Sequence, residues 1–214
     1  MSNDTSFALD PQAVAREPTQ QRARDRFEAI LREAENLLVQ SGISGFSIPV
    51  LAERLGITRG SVYSYFPTPY ALMNALAERY LTTMETMYQA QAERLASLPW
   101  HEAIKVEVDL AVEFYEGNVA ARLLMLGGAV TDDSYRAQEM TINRLGNLAR
   151  GMLESRGIAI PKEPDVATLT TDLGVTCFRR SFFEHGRITP QYKEAAITAM
   201  QSFLRNFIEG AKRS

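Results

Sequence analysis

The sequence predicts an all-α fold of about nine helices, with a small N-terminal helical domain followed by a larger C-terminal one. Apolar residues recur at intervals of three and four along most of the 214-residue chain, as in amphipathic helices. Glycines and prolines separate these periodic segments. The short run 158–160 is the only candidate for a strand. The apolar content of 45% is sufficient for a sizeable core.

Residues 1–18 are polar, contain two prolines and lack periodicity, so we expect a flexible arm. A first helix follows and ends near Gly42, because glycine readily adopts the positive φ of a helix end. Its apolar residues lie at helical spacing, namely Phe27, Ile30, Leu31, Ala34, Leu37 and Leu38. We place the first folded domain at residues 19–67.

Two short helices joined by a glycine turn are predicted within residues 47–72. Ser47 can accept hydrogen bonds from the N–H groups that open the first helix, and Pro49 is tolerated only within that first turn. Gly56 ends this helix, and Thr58 caps the next. The second helix turns Val62 and Phe66 inward and leaves outside Arg59, Ser61, Tyr63, Ser64 and Tyr65. This layout indicates a helix-turn-helix, whose second helix lies in the major groove of DNA.

Several residues of this segment have chemistry that suits DNA. Arg59 can form a bidentate contact with guanine, worth about 1–3 kcal/mol of discrimination. Gly60 allows a close approach of the backbone to DNA. The hydroxyls of Ser47, Thr58 and Thr68, and the N–H groups of the helix starts, can contact phosphates. In the alternative interpretation, the tyrosines pack beneath the motif and Arg59 is a solvated charge.

Residues 24–72 resemble the N-terminal domain of TetR-type transcriptional regulators. The shared pattern is L-A-x-x-L-G-I-T-R-G-S-V-Y-x-Y-F, preceded by an amphipathic helix that ends in glycine and followed by a capped fourth helix. The resemblance implies that Tyr63 and Tyr65 lie at the DNA backbone or at base edges. Pro49 and Pro69 depart from the family pattern, because neither supplies the polar or basic side chain common at its position. Each removes one expected phosphate contact.

The formal charge of −3 does not by itself indicate a nucleic-acid partner, but the charge is unevenly distributed. Four arginines cluster around the start of the first helix: Arg16, Arg22, Arg24 and Arg26. This cluster can meet phosphates, although a solvated helix start is the alternative. A single cysteine excludes an internal disulfide. No run approaches the roughly 18 apolar residues of a membrane span, and no apolar signal core begins the chain, so we expect a cytoplasmic protein.

The second domain, residues 68–214, is predicted to bind an effector and to dimerise. A long helix is expected over 68–98, where Pro99 interrupts it. Further helices are expected at 100–116, 118–126, 132–156, 165–184 and 190–212. Asp132 or Asp133 can cap the third of these, and Gly157 follows it.

The last two predicted helices carry apolar bands that are too wide for one neighbouring helix. The TetR resemblance implies that they pair with their copies in a four-helix dimer interface. The residues expected there are Leu173, Cys177, Phe182, Ala196, Met200, Phe203 and Phe207. In the alternative interpretation, the bands complete the core of a monomer. A dimer would read a palindrome with half-sites about 34–36 Å apart, or a modest extension of that spacing.

The body contains apolar and amphipathic residues with a few polar groups, a mixture that suits a small hydrophobic effector. The candidate ligand-binding residues are Trp100, Phe114, Tyr115, Arg122, Met125, Tyr135, Asn143 and Phe178. The alternative for each individual residue is that it belongs to the core or the surface and does not contact a ligand.

The sequence offers no catalytic set. Cys177 and His185 are eight residues apart, about 12 Å along a helix, which is too far for direct contact. Two histidines and one cysteine argue against a zinc site, and no glycine-rich phosphate loop occurs. We therefore expect no enzyme, cofactor or metal. The prediction is a homodimeric DNA-binding repressor, released from a palindromic operator by a hydrophobic ligand. The alternatives are a helical protein-interaction module that has lost DNA binding, and a regulator without an effector.

Overall fold

The computed structural model describes residues 10–128 and 132–210, with side chains as far as residue 208. These residues contain ten α-helices, one 3₁₀ turn at Pro11–Ala13 and no strand, which confirms the all-α prediction. The helices are α1 (Gln21–Ser41), α2 (Ile48–Arg54), α3 (Arg59–Tyr63), α4 (Pro69–Ala90), α5 (Ala92–Ser97), α6 (Trp100–Gly117), α7 (Val119–Met125), α8 (Asp132–Glu154), α9 (Val166–His185) and α10 (Pro190–Gly210). The predicted end of the last helix at residue 212 lies outside the described residues.

The chain forms two compact units. Unit 1 comprises residues 1–80 and 119–139, and unit 2 comprises residues 81–118 and 140–214. Unit 1 therefore contains α7 and the start of α8, which the sequence assigned to the second domain. The functional boundary at residues 67 and 68 stays a prediction.

The core of unit 1 forms around α1, whose apolar stripe is buried as its periodicity predicts. The ring of Phe27 stacks on that of Phe66 with 4.7 Å between the ring centroids. Val62 and Phe66 are completely buried, which confirms that they face inward. Gly42 ends α1 with a φ of 68°, and its N–H donates to the Leu38 carbonyl at 2.9 Å. The Phe27–Phe66 contact holds the segment after α3 against α1, and α3 itself packs on α2.

The described part of the predicted arm, residues 10–18, is bonded to the rest of unit 1. The hydroxyl of Thr68 donates to the Gln12 carbonyl at 3.0 Å. The N–H of Arg16 donates to the Tyr65 carbonyl at 2.7 Å. This part of the arm is therefore more ordered than its composition predicts, because the start of α4 and the end of the helix-turn-helix give it hydrogen-bond partners. The earlier residues of the arm lie outside the described part of the chain.

The N-cap of α2 in the structure differs from the predicted one in one respect. Ser47 occupies the N-cap position with an extended backbone, but its hydroxyl makes no capping hydrogen bond. A cap hydroxyl accepts from the second or third helical N–H, and Pro49 at the second position has none. The same proline that the first turn tolerates therefore removes one of the two donors available to Ser47.

The helix predicted over residues 68–98 is broken in two. α4 ends at Ala90, Gln91 leaves the helical region with φ −102° and ψ 4°, and α5 follows. Gln91 donates its N–H to the carbonyl three residues earlier, on Tyr88, which closes the last turn tightly. This break accounts for the tenth helix.

Unit 2 is a bundle in which α9 and α10 pack on each other and α10 also packs on α6. α8 approaches α9 closely at Gly146, where a Cβ atom would lie 2.6 Å from the Cα of Thr168. Arg150, which is 8% exposed, donates to the Asp165 carboxylate at 2.6 Å and to the Ile160 carbonyl at 3.2 Å. This arginine therefore fixes the connection between α8 and α9.

Candidate nucleic-acid interface and internal cavity

The recognition helix of the helix-turn-helix, α3, is capped as the sequence predicts. Thr58 has an extended backbone, and its side-chain oxygen accepts the N–H of Ser61 at 3.2 Å. The hydroxyl of Ser64 donates to the Ser61 carbonyl at 2.8 Å near the other end of the helix. With only five residues, α3 depends on these caps and on its packing against α2.

Four of the predicted DNA-contacting side chains are engaged within the chain. The hydroxyls of Thr58 and Ser61 lie 3.0 Å apart, and that of Ser64 is bonded to the backbone. Thr68 accepts the Ala71 N–H at 3.0 Å and also donates to a carbonyl, so its hydroxyl is used in both directions. The hydroxyls of these four residues therefore mainly stabilise the local structure of the helix-turn-helix.

The other predicted contacts have unused polar groups. Among the described residues, no hydrogen bond or ion pair is made by the side chains of Ser47, Arg59, Tyr63 and Tyr65. Arg59 is exposed and Tyr63 is 42% exposed, whereas Tyr65 is half-buried with its ring edge-on to Phe27 at 6.0 Å. The guanidinium and the two phenol hydroxyls are therefore available as donors to another molecule.

Gly60 is exposed, and the fold does not require a glycine there. A Cβ atom at this position would meet only the Thr58 hydroxyl oxygen, at 3.8 Å, and its φ is not positive. The space above the backbone of α3 is open, as a close approach of another molecule requires.

The predicted arginine cluster around the start of α1 is solvent-exposed. Arg24 donates through Nε to the Pro18 carbonyl at 3.3 Å, which leaves the outer guanidinium nitrogens without a partner in the described chain. The other three members, Arg16, Arg22 and Arg26, are also exposed. Unit 1 therefore carries basic side chains close in sequence to the helix-turn-helix.

Unit 2 contains a partly open cavity between α4, α6, α8, α9 and α10, with about 570 Å³ of unoccupied space that includes open solvent. Its walls are mainly apolar and aromatic. The lining residues are Met84, Tyr88, Glu107, Val108, Ala111, Tyr115, Leu145, Leu148, Ala149, Met152, Thr171, Gly174, Val175, Phe178 and Met200. A second cavity of about 390 Å³ shares five of these residues and reaches Trp100 and Arg156. We call them the larger and the smaller cavity.

The predicted ligand-binding residues divide between several places. Tyr115 and Phe178 line the larger cavity, with their rings edge-on at 6.2 Å, and Trp100 lines the smaller one. Phe114 and Asn143 belong to unit 2 but line neither. Arg122, Met125 and Tyr135 belong to unit 1 and line neither cavity.

Sequence analysis missed Glu107, which lines both cavities. The residue is half-buried and forms part of the wall of both cavities. Burial raises the pKa of Glu107 to about 7, although the positive charge of Arg156 acts to lower it. The sequence did contain a signal that Glu107 faces inward, because this residue falls in the apolar stripe of α6 between Ala103 and Ala111.

Some of the predicted dimer-interface residues are accessible in the single chain, and others are buried in its core. On α9, Leu173 is 36% exposed, and Cys177 and Phe182 are half-buried. On α10, Phe203 and Phe207 are half-buried with their ring centroids 5.2 Å apart. Ala196 is completely buried and Met200 lines the larger cavity, so in the single chain both are core residues. The apolar surface of α9 also includes Leu169 and Phe183, the latter 81% exposed.

The exposed helix-turn-helix of α2 and α3 defines a DNA-binding transcriptional regulator, and this part of the chain is similar to the DNA-binding domain of TetR-family regulators. Residues 30–76 match the family model described as bacterial regulatory proteins, tetR family. The match begins within α1 and ends within α4, so it covers the whole helix-turn-helix.

Two curated relatives share this region. Over 86 residues the chain is 35% identical to the HTH-type transcriptional regulator EthR of Mycobacterium tuberculosis, covering 38% of this chain and 40% of EthR. Over 59 residues it is 42% identical to the tetracycline repressor protein class C of Escherichia coli, covering 28% of this chain and 27% of that protein. The matched part spans at most about two fifths of these relatives. Both are named as regulators, in agreement with the non-enzymatic prediction.

The fold similarity extends over most of the chain. A TetR-family transcriptional regulator from Streptomyces coelicolor superposes with a TM-score of 0.63, covering 85% of this chain and 99% of that one at 20% identity. No described helix is long and apolar enough to cross a membrane. The described residues also contain no group of three or more His, Cys, Asp or Glu able to hold a metal ion.

Proposed function

We propose that this chain is a homodimeric, sequence-specific DNA-binding repressor of the cytoplasm, released from a palindromic operator by a small hydrophobic ligand. The observation that carries the proposal is the face of α3, where Arg59 and Tyr63 have polar groups without a partner in the described chain. A charged and an aromatic side chain held side by side on a capped helix suit the edges and phosphates of a duplex.

Each residue of the surface has a role in this proposal. Arg59 reads a guanine edge, and the hydroxyls of Tyr63 and Tyr65 donate to phosphates. Ser47 contributes a hydroxyl at the start of α2, where the unpaired N–H groups of the helix also favour an anion. The exposed Arg24 adds a phosphate contact from α1.

Dimerisation supplies the second recognition helix. α9 presents Leu169, Leu173 and Phe183 on its surface, and such exposed apolar side chains favour burial against a second copy. A two-fold axis through this surface makes the operator a palindrome. The repressor role agrees with the name of the tetracycline relative.

The ligand acts through α4. Its first residues belong to unit 1, and further along the same helix Met84 and Tyr88 line the larger cavity of unit 2. A ligand that favours a different position of these two side chains shifts the equilibrium between two positions of α4. The spacing of the recognition helices in the dimer changes with it. Reciprocity requires that operator DNA weaken ligand binding by the same factor, typically 1–3 kcal/mol.

Selection of bound sequences from a random duplex pool tests the DNA-binding proposal directly. We expect a palindrome, because two symmetric readers contact two half-sites. Fluorescence anisotropy on the selected duplex then compares Arg59→Ala with Arg94→Ala, an exposed arginine on α5 that serves as the matched control. We expect Arg59→Ala to lose about 1–3 kcal/mol and to relax one base preference.

Salt dependence separates this proposal from its main rival, a protein-interaction module in which Pro49 and Pro69 mark lost phosphate contacts. A DNA reader loses affinity steeply as salt rises, since each phosphate contact releases bound counterions. A chain that selects no sequence and binds no duplex at low salt would support the interaction module instead. An operator that no ligand releases would support a regulator without an effector.

A further inference from the structure

Among the described residues that line the larger cavity, Glu107 is the only acidic or basic one. The same cavity is lined by three aromatic side chains, Tyr88, Tyr115 and Phe178, and three methionines, Met84, Met152 and Met200. Thr171, the neutral polar residue of the lining, already donates its hydroxyl to the Ala167 carbonyl at 3.1 Å. A ligand in this cavity therefore meets mainly apolar and aromatic walls, with one carboxyl group as the charged side chain.

The carboxyl of Glu107 has no partner of its own. Its side chain makes no hydrogen bond or ion pair among the described residues. The neighbouring Tyr88 hydroxyl donates to the backbone carbonyl of Glu107, at 3.2 Å, and not to its carboxylate. A carboxylate taken out of water is destabilising unless an opposite charge or several donors compensate it.

Arg156 is the nearest candidate to neutralise Glu107, but its donors are used elsewhere. Its guanidinium donates to the carbonyls of Leu95, Leu98 and Met152. It lines the smaller cavity and not the larger one. Arg156 thus lowers the electrostatic penalty on Glu107 only from a distance, and the larger cavity keeps an uncompensated negative group.

We propose that the effector is a hydrophobic organic cation, an amine protonated at neutral pH, whose ammonium group pairs with Glu107 while its apolar body fills the larger cavity. The inference rests on the proposed function, because it names the chemical class of that effector. A cation supplies the charge that the carboxylate lacks, and the surrounding aromatic rings attract cations as well. An anion would face Glu107 directly. A neutral body of the same shape would leave the carboxylate unpaired.

The cavity suits such a ligand in other respects. It is lined mainly by apolar and aromatic side chains with few polar groups, as small-molecule sites usually are. The hydroxyl of Tyr115 makes no hydrogen bond within the described chain, so it can accept one from an ammonium group. Methionine side chains adapt to apolar bodies of different shape. The positive charge of Arg156 disfavours the smaller cavity for the same ligand.

Three probes with one apolar body and different charges test the class: 4-phenylbutylamine, 4-phenylbutan-1-ol and 4-phenylbutyrate. Trp100 is the only tryptophan of the chain and lines the adjoining smaller cavity, so its fluorescence reports binding. We expect the wild-type protein at pH 8 to bind the amine at least tenfold more tightly than the alcohol, and the carboxylate most weakly.

The variant Glu107→Gln keeps the shape of the side chain and removes its charge. We expect the preference for the amine over the alcohol to fall to within twofold. The matched control is Glu113→Gln, the same substitution at an exposed position of α6, which should keep the full preference. Equal affinity for amine and alcohol in the wild type, tighter binding of the carboxylate, or binding of none of the three would overturn the proposal.

Titrating the same three probes into the complex of the protein with its selected operator separates this inference from the proposed function. If the amine binds through Glu107 but leaves the operator complex intact, the ligand class stands and ligand-controlled release fails. If the alcohol or the carboxylate releases the operator while the amine does not, release stands and the ligand class fails.

Discussion

Thr58 and Ser61 form a closed pair at the start of α3: the Thr58 hydroxyl oxygen accepts the Ser61 N–H at 3.2 Å and lies 3.0 Å from the Ser61 hydroxyl. The pair satisfies one of the N–H groups that a helix start leaves open. Because α3 has only five residues, a large share of its order depends on this one end.

Thr58→Ala should therefore lower the free energy of unfolding by about 1 kcal/mol, the usual effect of losing a capping side chain. Operator affinity should fall with it, since the recognition helix is less well ordered. Urea denaturation and anisotropy measure the two effects. Thr58→Ser retains the capping oxygen and is the control. A Thr58→Ala protein with wild-type stability would show that packing alone holds α3.

Gly60→Ala separates DNA binding from folding. The added Cβ meets only the Thr58 hydroxyl oxygen at 3.8 Å, and alanine is the better helix former, so stability should be unchanged or rise by up to about 1 kcal/mol. Operator affinity should nevertheless fall at least tenfold if the backbone of α3 approaches DNA here. Anisotropy and thermal denaturation of one preparation give both results. Unaltered affinity would mean that the helix lies further from the groove.

Local signals explain why the helix-turn-helix was predictable and the break in α4 was not. Gly56, with a φ of 62°, and the capping Thr58 mark the turn between α2 and α3 in the sequence itself. Gln91 carries no such mark. The chain departs from the helix there because Leu95 must reach the core and Tyr88 is bonded to α6, and both contacts depend on distant residues.

The cavity was predictable only in part for a related reason. The sequence predicts that aromatic residues such as Tyr115 and Phe178 belong to the second domain. Which of them line a cavity depends on how five helices pack together, and the sequence pattern does not reveal that packing. Glu107 was overlooked because an isolated glutamate on a helix is usually at the surface. Its place in the buried stripe of α6, four residues from both Ala103 and Ala111, was the informative feature.

Two glycines of α8 should respond oppositely to alanine. Gly151 is exposed, and a Cβ there meets nothing within 4 Å, so Gly151→Ala should stabilise the protein by about 0.5–1 kcal/mol. At Gly146 the Cβ would lie 2.6 Å from the Cα of Thr168, and backbone must move. Gly146→Ala should cost about 1–3 kcal/mol. Urea denaturation compares them, and equal effects would contradict the close approach of α8 and α9.

Leu173→Glu tests the proposed dimer surface. A glutamate in the middle of an apolar interface would be buried without a partner on both sides of the two-fold axis, at a cost of about 3 kcal/mol or more. The dimer dissociation constant should rise more than a hundredfold. Analytical ultracentrifugation measures it, with Val39→Glu, an exposed apolar site on α1, as the control. Loss of dimer in the control, or its persistence in Leu173→Glu, would place the interface elsewhere.

Glu107 should make stability fall as pH rises. Burial raises its pKa from an ordinary value of 4.5 to about 7, so between these values the folded state holds more protons than the unfolded state. The free energy of unfolding then decreases with pH, by on the order of 3 kcal/mol in total, and the decrease is complete above the folded pKa. Tyr88 and Tyr115 stay neutral throughout, because burial raises the pKa of each above its usual range.

Glu107→Gln has no carboxyl to titrate, so its advantage over the wild type should be small at pH 5 and largest above pH 8. Urea denaturation across that range measures the difference, and Glu113→Gln, at an exposed site on the same helix, should follow the wild type. Parallel stability curves for the wild type and Glu107→Gln would mean that water or another charge already compensates the carboxylate. In that case an ammonium group would gain little by binding beside it.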